Sequence, residues 1–193
     1  VNSGDGNNIG SAPDTTALWF KSATTVGSTD QHMVSFEGSG TCPSCDYYRI
    51  YFEANTGKVV FEFNTNTGGG DTSTCKSTGR YDDQEWYHVT AIRTGTNANC
   101  SLIITDVDGS TVESQLNVPF SSGTTLVDTD GRWYVGSNSA EGDNFFNGWI
   151  DDVIHWNSYV VKTSGPNEEY DLARTNYGDA AHKINLSYIT NDV

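Results

Sequence analysis

The side chains best suited to chemistry here fall into three groups: carboxylates and amides close to aromatic rings, four cysteines, and scattered histidines. Asn138, Glu141, Asp143 and Asn144 gather within 137–146 and are followed by Phe145, Phe146 and Trp149. Carboxylates and amides pair with sugar hydroxyls while an aromatic ring covers a C–H face. Asn138, Glu141, Asp143, Asn144 and Trp149 are therefore the candidate glycan-binding set. The competing reading is a solvated loop whose aromatics close the core. Tyr47, Tyr48, Tyr51, Tyr87 and Tyr134 alternate with core positions and either line a sheet face or serve as amphipathic packing.

Cys42 and Cys45 lie in Thr-Cys-Pro-Ser-Cys, while Cys75 and Cys100 stand apart in polar surroundings. An even count in such a setting reads as disulfides and hence as an exported protein. Of the three pairings, Cys42 with Cys45 and Cys75 with Cys100 is favoured, because a Cys-x-x-Cys turn can close on itself and the other two flank one expected strand. A four-thiolate zinc site is the rival, weakened by the lack of a second Cys-x-x-Cys. A redox role lacks the strand-helix setting of thioredoxin-like motifs. Asn99-Cys100-Ser101 and Asn185-Leu186-Ser187 are formal glycosylation acceptors and add weak support for export.

Enzymatic signatures are missing. There is no Gly-x-Ser-x-Gly, His-Glu-x-x-His or phosphate-binding Gly-x-x-x-x-Gly-Lys, and His32, His88, His155 and His182 show no metal-binding spacing. Glu37, Glu53, Glu62 and Glu85 are isolated from one another, so a hydrolase would need carboxylates converging from separate strands. No enzymatic activity is expected.

These groups are carried on a chain of 193 residues with 25 acidic and 10 basic side chains, a formal charge of −15. So acidic a surface attracts cations and excludes nucleic-acid binding by charge. Eight Phe, ten Tyr and five Trp are too many large rings for a disordered acidic segment. No stretch approaches a membrane span, and the polar start at Val1 does not resemble a signal peptide, so a mature or excised chain without membrane insertion is expected.

Period-two alternation bounded by Gly, Asn, Asp, Ser and Thr clusters predicts strands near 17–21, 32–37, 47–54, 58–64, 86–94, 101–107, 111–118, 131–137 and 147–156. Turns at Asn55-Thr56-Gly57, within 95–99 and at Asp108-Gly109 make neighbouring strands antiparallel. The expected fold class is all-β, a two-sheet antiparallel sandwich. Asn167 is placed to cap a short C-terminal helix carrying Glu168 and Glu169, and 183–190 reads as an extra final strand.

Three stretches then resemble a known family: Thr16-Ala17-Leu18-Trp19-Phe20-Lys21, Glu85-Trp86-Tyr87-His88-Val89-Thr90 followed by an Asp-Gly hairpin, and Phe146-Asn147-Gly148-Trp149-Ile150-Asp151-Asp152-Val153. In that order they resemble laminin-G-like domains of the concanavalin A-like lectin/glucanase superfamily, across most of 17–157. The resemblance implies a jelly roll over 1–166, with the C-terminal helix and extra strand at 167–193 packing on it or on a neighbour. Members usually begin with an apolar strand that has no counterpart before Val1. Ile184 to Thr190 is a candidate to fill that edge, from its own chain or another's.

The resemblance also implies a structural calcium at Asp151, with Asp152, Asp5, Gly4 and Asn7 as further oxygen donors; the plainer reading of Asp151 is a solvent-facing strand residue. The Asp106-Val107-Asp108-Gly109 and Asp128-Thr129-Asp130-Gly131 runs lack the glycine and glutamate of calcium loops and read as hairpin turns. The glucanase relatives carry Glu-x-Asp-x-x-Glu on one strand, and no such run occurs here. The implied function is a non-catalytic, extracellular, calcium-assisted module that binds a glycan or a cell-surface protein. Two alternatives stand beside it: a structural subunit of a surface filament or layer that self-assembles through its C-terminal strand, and a glycoside hydrolase or lyase with an atypical site.

Overall fold

The computed structural model describes residues 14–38, 47–65, 71–93, 99–119, 131–138, 144–156 and 182–183. They form β1 (Asp14–Ser22), β2 (Gln31–Glu37), β3 (Tyr47–Phe52), β4 (Val59–Thr65), β5 (Asp71–Lys76), β6 (Tyr87–Arg93), β7 (Asn99–Thr105), β8 (Thr111–Pro119), β9 (Arg132–Val135), β10 (Gly148–Trp156) and β11 (His182–Lys183). A six-stranded sheet runs β11-β10-β1-β6-β7-β8 and a five-stranded sheet β5-β4-β3-β2-β9. Every pairing is antiparallel, giving the expected all-β sandwich.

All nine expected strands are present. β5 is additional; its inward residues are Ser73 and Cys75, with Thr72, Thr74 and Lys76 exposed, so no large apolar side chain marks it. β11 pairs with β10 at Ile154 and His155. The expected helix after Asn167 and the segment 184–190 lie outside the described residues.

Alternation builds the core. Leu18, Phe20, Val89, Ala91, Leu102, Ile104 and Val153 meet Val34, Phe36, Ile50, Phe52, Phe61, Phe63 and Trp133, all buried. Burying each such side chain contributes about 1.5–3 kcal/mol. Rings lock the two sheets edge to face, as with Phe20 and Phe52 at 5.5 Å between centroids. Tyr48 also turns into the core, its hydroxyl donating to Thr16 Oγ1 at 2.8 Å, which in turn meets His155 Nδ1 at 2.8 Å.

Turn chemistry explains several connections. The β3–β4 turn holds Asn55 and Gly57 at φ 59° and 62°, and a Cβ on Gly57 would lie 2.2 Å from the Asp82 carboxylate. Asp82 is fixed there by the Val26 N–H at 2.7 Å and by Arg80 at 2.8 and 3.0 Å. The Asp106–Gly109 run is a hairpin turn, with Asp106 Oδ1 accepting from Asp108 N at 3.0 Å and Ser110 N at 2.9 Å.

The sandwich encloses an ion pair. Arg93 Nε donates to Asp14 Oδ2 at 2.6 Å, both residues fully enclosed. Burial lifts the Asp14 carboxyl to about 6 against the pull of Arg93.

The Cys75–Cys100 disulfide, Cα to Cα 6.0 Å, joins β5 to β7 and therefore one sheet to the other. The pairing is the favoured one. Cys42 and Cys45 lie outside the described residues.

Glu113 on β8 ties down the β5–β6 connection. It accepts from Gly79 N at 3.0 Å, Tyr81 Oη at 2.8 Å and Thr78 Oγ1 at 3.0 Å, and from the Thr78 N–H. Burial pushes this carboxyl upward, but the Thr78 and Gly79 N–H groups, Tyr81 and Gln115 outweigh it and hold it at about 2.

Two outcomes follow from these ties. Replacing Cys75 and Cys100 together by Ala should cost roughly 3 kcal/mol in urea unfolding under oxidising conditions and nothing further when reductant is added. Because the folded-state pKa of Glu113 is depressed, its stabilisation is present above the ordinary carboxylate range and fades as pH falls from about 4.5 toward 2. Glu113→Gln should therefore flatten the acid limb of a Tm-against-pH curve, and an unchanged limb would refute this role.

Candidate functional site

The motif 146–153 leads into β10, beside β1 in the six-stranded sheet, and each of its residues has a separate task. Phe146 stacks on Phe52 at 5.8 Å. Asn147 Nδ2 donates to Thr24 Oγ1 at 3.1 Å, and its carbonyl accepts from Ala23 N at 2.9 Å. A Cβ on Gly148 would strike the Lys21 carbonyl at 2.1 Å, so only glycine allows this close pairing of β10 with β1. Phe20 then pairs with Ile150, which faces the core, whereas Lys21 pairs with Trp149 and Trp19 with Asp151 on the outer side of the six-stranded sheet.

The register slips between Ala17 and Trp19. Asp152 takes up the extra residue at φ 47°, and its N–H donates to Asp151 Oδ1 at 2.8 Å. A bulge re-aims side chains, and here it lets Asp151 and Asp152 both stay exposed before Val153 returns to the core. Trp149 is 49% exposed beside them, an unusual placement for so large a ring. Trp19 packs its ring against His88 at 5.1 Å. Burial lowers the His88 pKa to about 4, so at neutral pH the indole meets an uncharged imidazole.

Farther along the same face the character reverses. Ala17, Ile154 and Trp156 form a second buried cluster. The outer face of the six-stranded sheet is thus sealed at one end and open at the end bearing Trp149, Asp151 and Asp152.

The other sequence-derived residues are placed elsewhere. Asn144 has φ 64° and its carbonyl accepts from His32 N at 3.0 Å, beside β2 of the five-stranded sheet. Asn138 follows β9, and its buried Oδ1 has no partner among the described residues. Trp149 therefore shares a sheet face with Asp151 and not with Asn144. Glu141, Asp143, Asp5, Gly4 and Asn7 lie outside the described residues. Among those described, no three His, Cys, Asp or Glu side chains converge as a metal cluster.

A polar layer on the outer face of the five-stranded sheet was not anticipated as a unit. Register places Ser35, Arg49 and Glu62 in one row and Glu37, Tyr47 and Asn64 in the next. Arg49 Nη2 donates to Glu37 Oε1 at 2.7 Å, and its guanidinium lies 3.9 Å from the centre of the Tyr47 ring. Tyr51 donates to Glu62 Oε2 at 2.9 Å and stacks on His32 at 4.9 Å. Burial, reinforced by Arg49, lowers the His32 pKa to about 3, so the ring is neutral at physiological pH. The sequence signal for this layer was the lone Arg49 at a wet position of a strand otherwise lined by tyrosines.

A family model described as concanavalin A-like lectin/glucanases superfamily matches residues 1–162. Among solved structures, the LG1-3 region of the laminin α2 chain superposes with TM-score 0.56 at 21% identity, covering 79% of this chain and 29% of that one. The Ruminococcus gnavus IT-sialidase CBM40 bound to α2,3 sialyllactose superposes with TM-score 0.53 at 19% identity, covering 91% and 94%. A leech intramolecular trans-sialidase gives 0.54 at 19%, covering 93% of this chain and 28% of that one. The chain thus spans less than a third of the laminin and trans-sialidase chains it matches, and the likeness is one of fold. No curated protein matches the sequence.

The bulge itself can be tested. Asp152→Gly should leave stability unchanged or slightly raised, whereas Asp152→Val should cost more than about 1 kcal/mol in denaturant unfolding, because a β-branched residue resists positive φ.

Proposed function

The chain belongs to the concanavalin A-like lectin/glucanase superfamily, and from that membership we propose that it is a non-catalytic, extracellular recognition module that binds glycans with the help of calcium. The observation that carries this reading is the open end of the six-stranded sheet. There a half-exposed Trp149 stands two residues from Asp151 on the same face, flanked by Lys21 and Asp152. An indole offers a platform for the C–H face of a sugar, while the carboxylates and the lysine ammonium supply acceptors and donors for hydroxyls.

Asp151 and Asp152 fit a hard cation in donor type and exposure. Two carboxylates do not complete a calcium shell. Carbonyls, water, or Gly4, Asp5 and Asn7 would supply the remainder, and the bound ion would add a Lewis-acidic anchor for sugar hydroxyls. Extracellular placement is supported by the disulfide between the sheets. No described helix is long and apolar enough to cross a membrane.

A non-catalytic role is favoured because Glu37 and Glu62, two carboxylates on the five-stranded face, are each held in place, one by Arg49 and one by Tyr51. A glycoside hydrolase would need one carboxyl free as an acid and a second as base or nucleophile. The fold neighbours, among them a CBM40 bound to a sialylated sugar, make a glycan the first partner class to test.

Screening the chain on a glycan array with and without chelator tests the proposal. Binding to at least one glycan class is expected, lost on chelation and weakened about tenfold or more by Trp149→Ala, with the melting temperature nearly unchanged. Silence under both conditions would defeat the lectin reading; binding that survives chelation and Asp151→Asn would remove calcium from it.

A further inference from the structure

Two rows of side chains on the outer face of the six-stranded sheet are buried, although no described strand lies over them. Register sets Ile154, Ala17, Thr90 and Ile103 side by side across β10, β1, β6 and β7, and Trp156, Thr15, Ile92 and Ser101 in the next row. They alternate with the inward Leu18, Ala91, Leu102 and Val153, so they point away from the five-stranded sheet. Every one of them is at most 9% exposed.

Trp149 supplies the contrast. It stands on the same face of the same strand and is 49% exposed, against 6% for Trp156. The row neighbours of Trp156, Thr15 and Ile92, stand beside it and cannot roof an indole. A sheet face turned to water keeps such side chains wet, so a layer outside the sheet has to cover these rows.

The segment placed to reach them is the extension after β10. It leaves the sheet at Trp156 and returns at β11, where His182 pairs with His155 and Lys183 with Ile154. Both ends of 157–181 therefore meet the corner of the two rows at Trp156. Crossing from β10 to β7 takes about 14 Å at the spacing of paired strands. A helix covers that distance in about ten residues, so 157–181 is long enough to go out and return. Its composition suits an apolar seat, with Tyr159, Val160, Val161, Tyr170, Leu172 and Ala173. The segment leading into β1, 1–13, offers only Val1, Ile9, Ala12 and Pro13 among Asn, Gly, Ser and Asp.

We propose that the occupant of this face is the chain's own C-terminal extension, 157–193, laid as a third layer over the Ala17 and Thr15 rows and stitched to the sheet edge by β11. Most of the extension follows residue 162, where the family match ends, so the layer comes largely from outside the matched domain. It makes the two rows interior and leaves the Trp149 end as the part of this face open to an external partner, whatever binds there.

The test uses the full chain with a photoreactive benzophenone side chain at position 103, at the far end of its row from β11, and in a second variant at position 156, where it replaces a ring of similar bulk. After irradiation and tryptic digestion, mass spectrometry should find both positions joined to peptides of 163–193 in a product of monomer size. Separately, Thr90→Cys, close in size to the residue it replaces, should be alkylated by iodoacetamide about 100-fold more slowly than Leu116→Cys, whose parent residue is exposed on β8. Links to 1–13 or to a strand connection in place of 163–193 would hand the face to that segment, and links in a dimer-sized product would hand it to a second copy; either overturns the proposal. So does the absence of any link from both positions to 163–193. Equal alkylation of the two thiols would overturn the cover itself.

Discussion

The antiparallel pairing of β1 with β10 is the constraint on which the rest of the molecule depends. It joins Asp14–Ser22 to Gly148–Trp156 across almost the whole described chain, and β6, β7 and β8 extend the sheet from the other side of β1. Backbone groups in the middle of a sheet must be paired or they cost the fold heavily. With β10 in place, the inward set Leu18, Phe20, Ile150 and Val153 meets the five-stranded sheet, while the outer side is displayed at the Trp149 end and buried around Ala17, Ile154 and Trp156. The bulge at Asp152 is the one interruption, and it falls where carboxylates and a tryptophan are brought to solvent together.

The two faces of the sandwich handle polarity by different means. On the six-stranded side the carboxylates of Asp151 and Asp152 are in water. On the five-stranded side Glu37, Arg49, Tyr47, Tyr51 and Glu62 answer to one another, because solvent is largely excluded and each needs a partner. The interior uses a third arrangement. Arg93 and Asp14 are enclosed together, and losing either partner would leave a buried charge uncompensated, a change that typically costs about 3–5 kcal/mol.

Much of this fold can be read in the sequence because large apolar residues alternate cleanly in most strands. β5 could not be, since its inward positions are Ser73 and Cys75. The 146–153 motif was legible because its phenylalanine, glycine, tryptophan and aspartates answer to distinct demands of packing, close approach, display and bulging. The five-stranded polar layer was not legible as a unit. Glu37, Arg49 and Glu62 come from three strands, and only register brings them into adjacent rows. Likewise, the cysteine pattern suggested which thiols pair but not that Cys75 and Cys100 belong to opposite layers; flanking one strand in sequence says nothing about sheet order.

That last placement has a mechanical meaning. Two sheets packed only by side chains can slide past one another. Here a covalent tie runs from β5, at the edge of one layer, to β7 in the other, so shear between the layers is blocked at that side and relative motion is reduced to a slight hinge about the bond. A force applied at the Trp149 end would be resisted by the whole sandwich as one body.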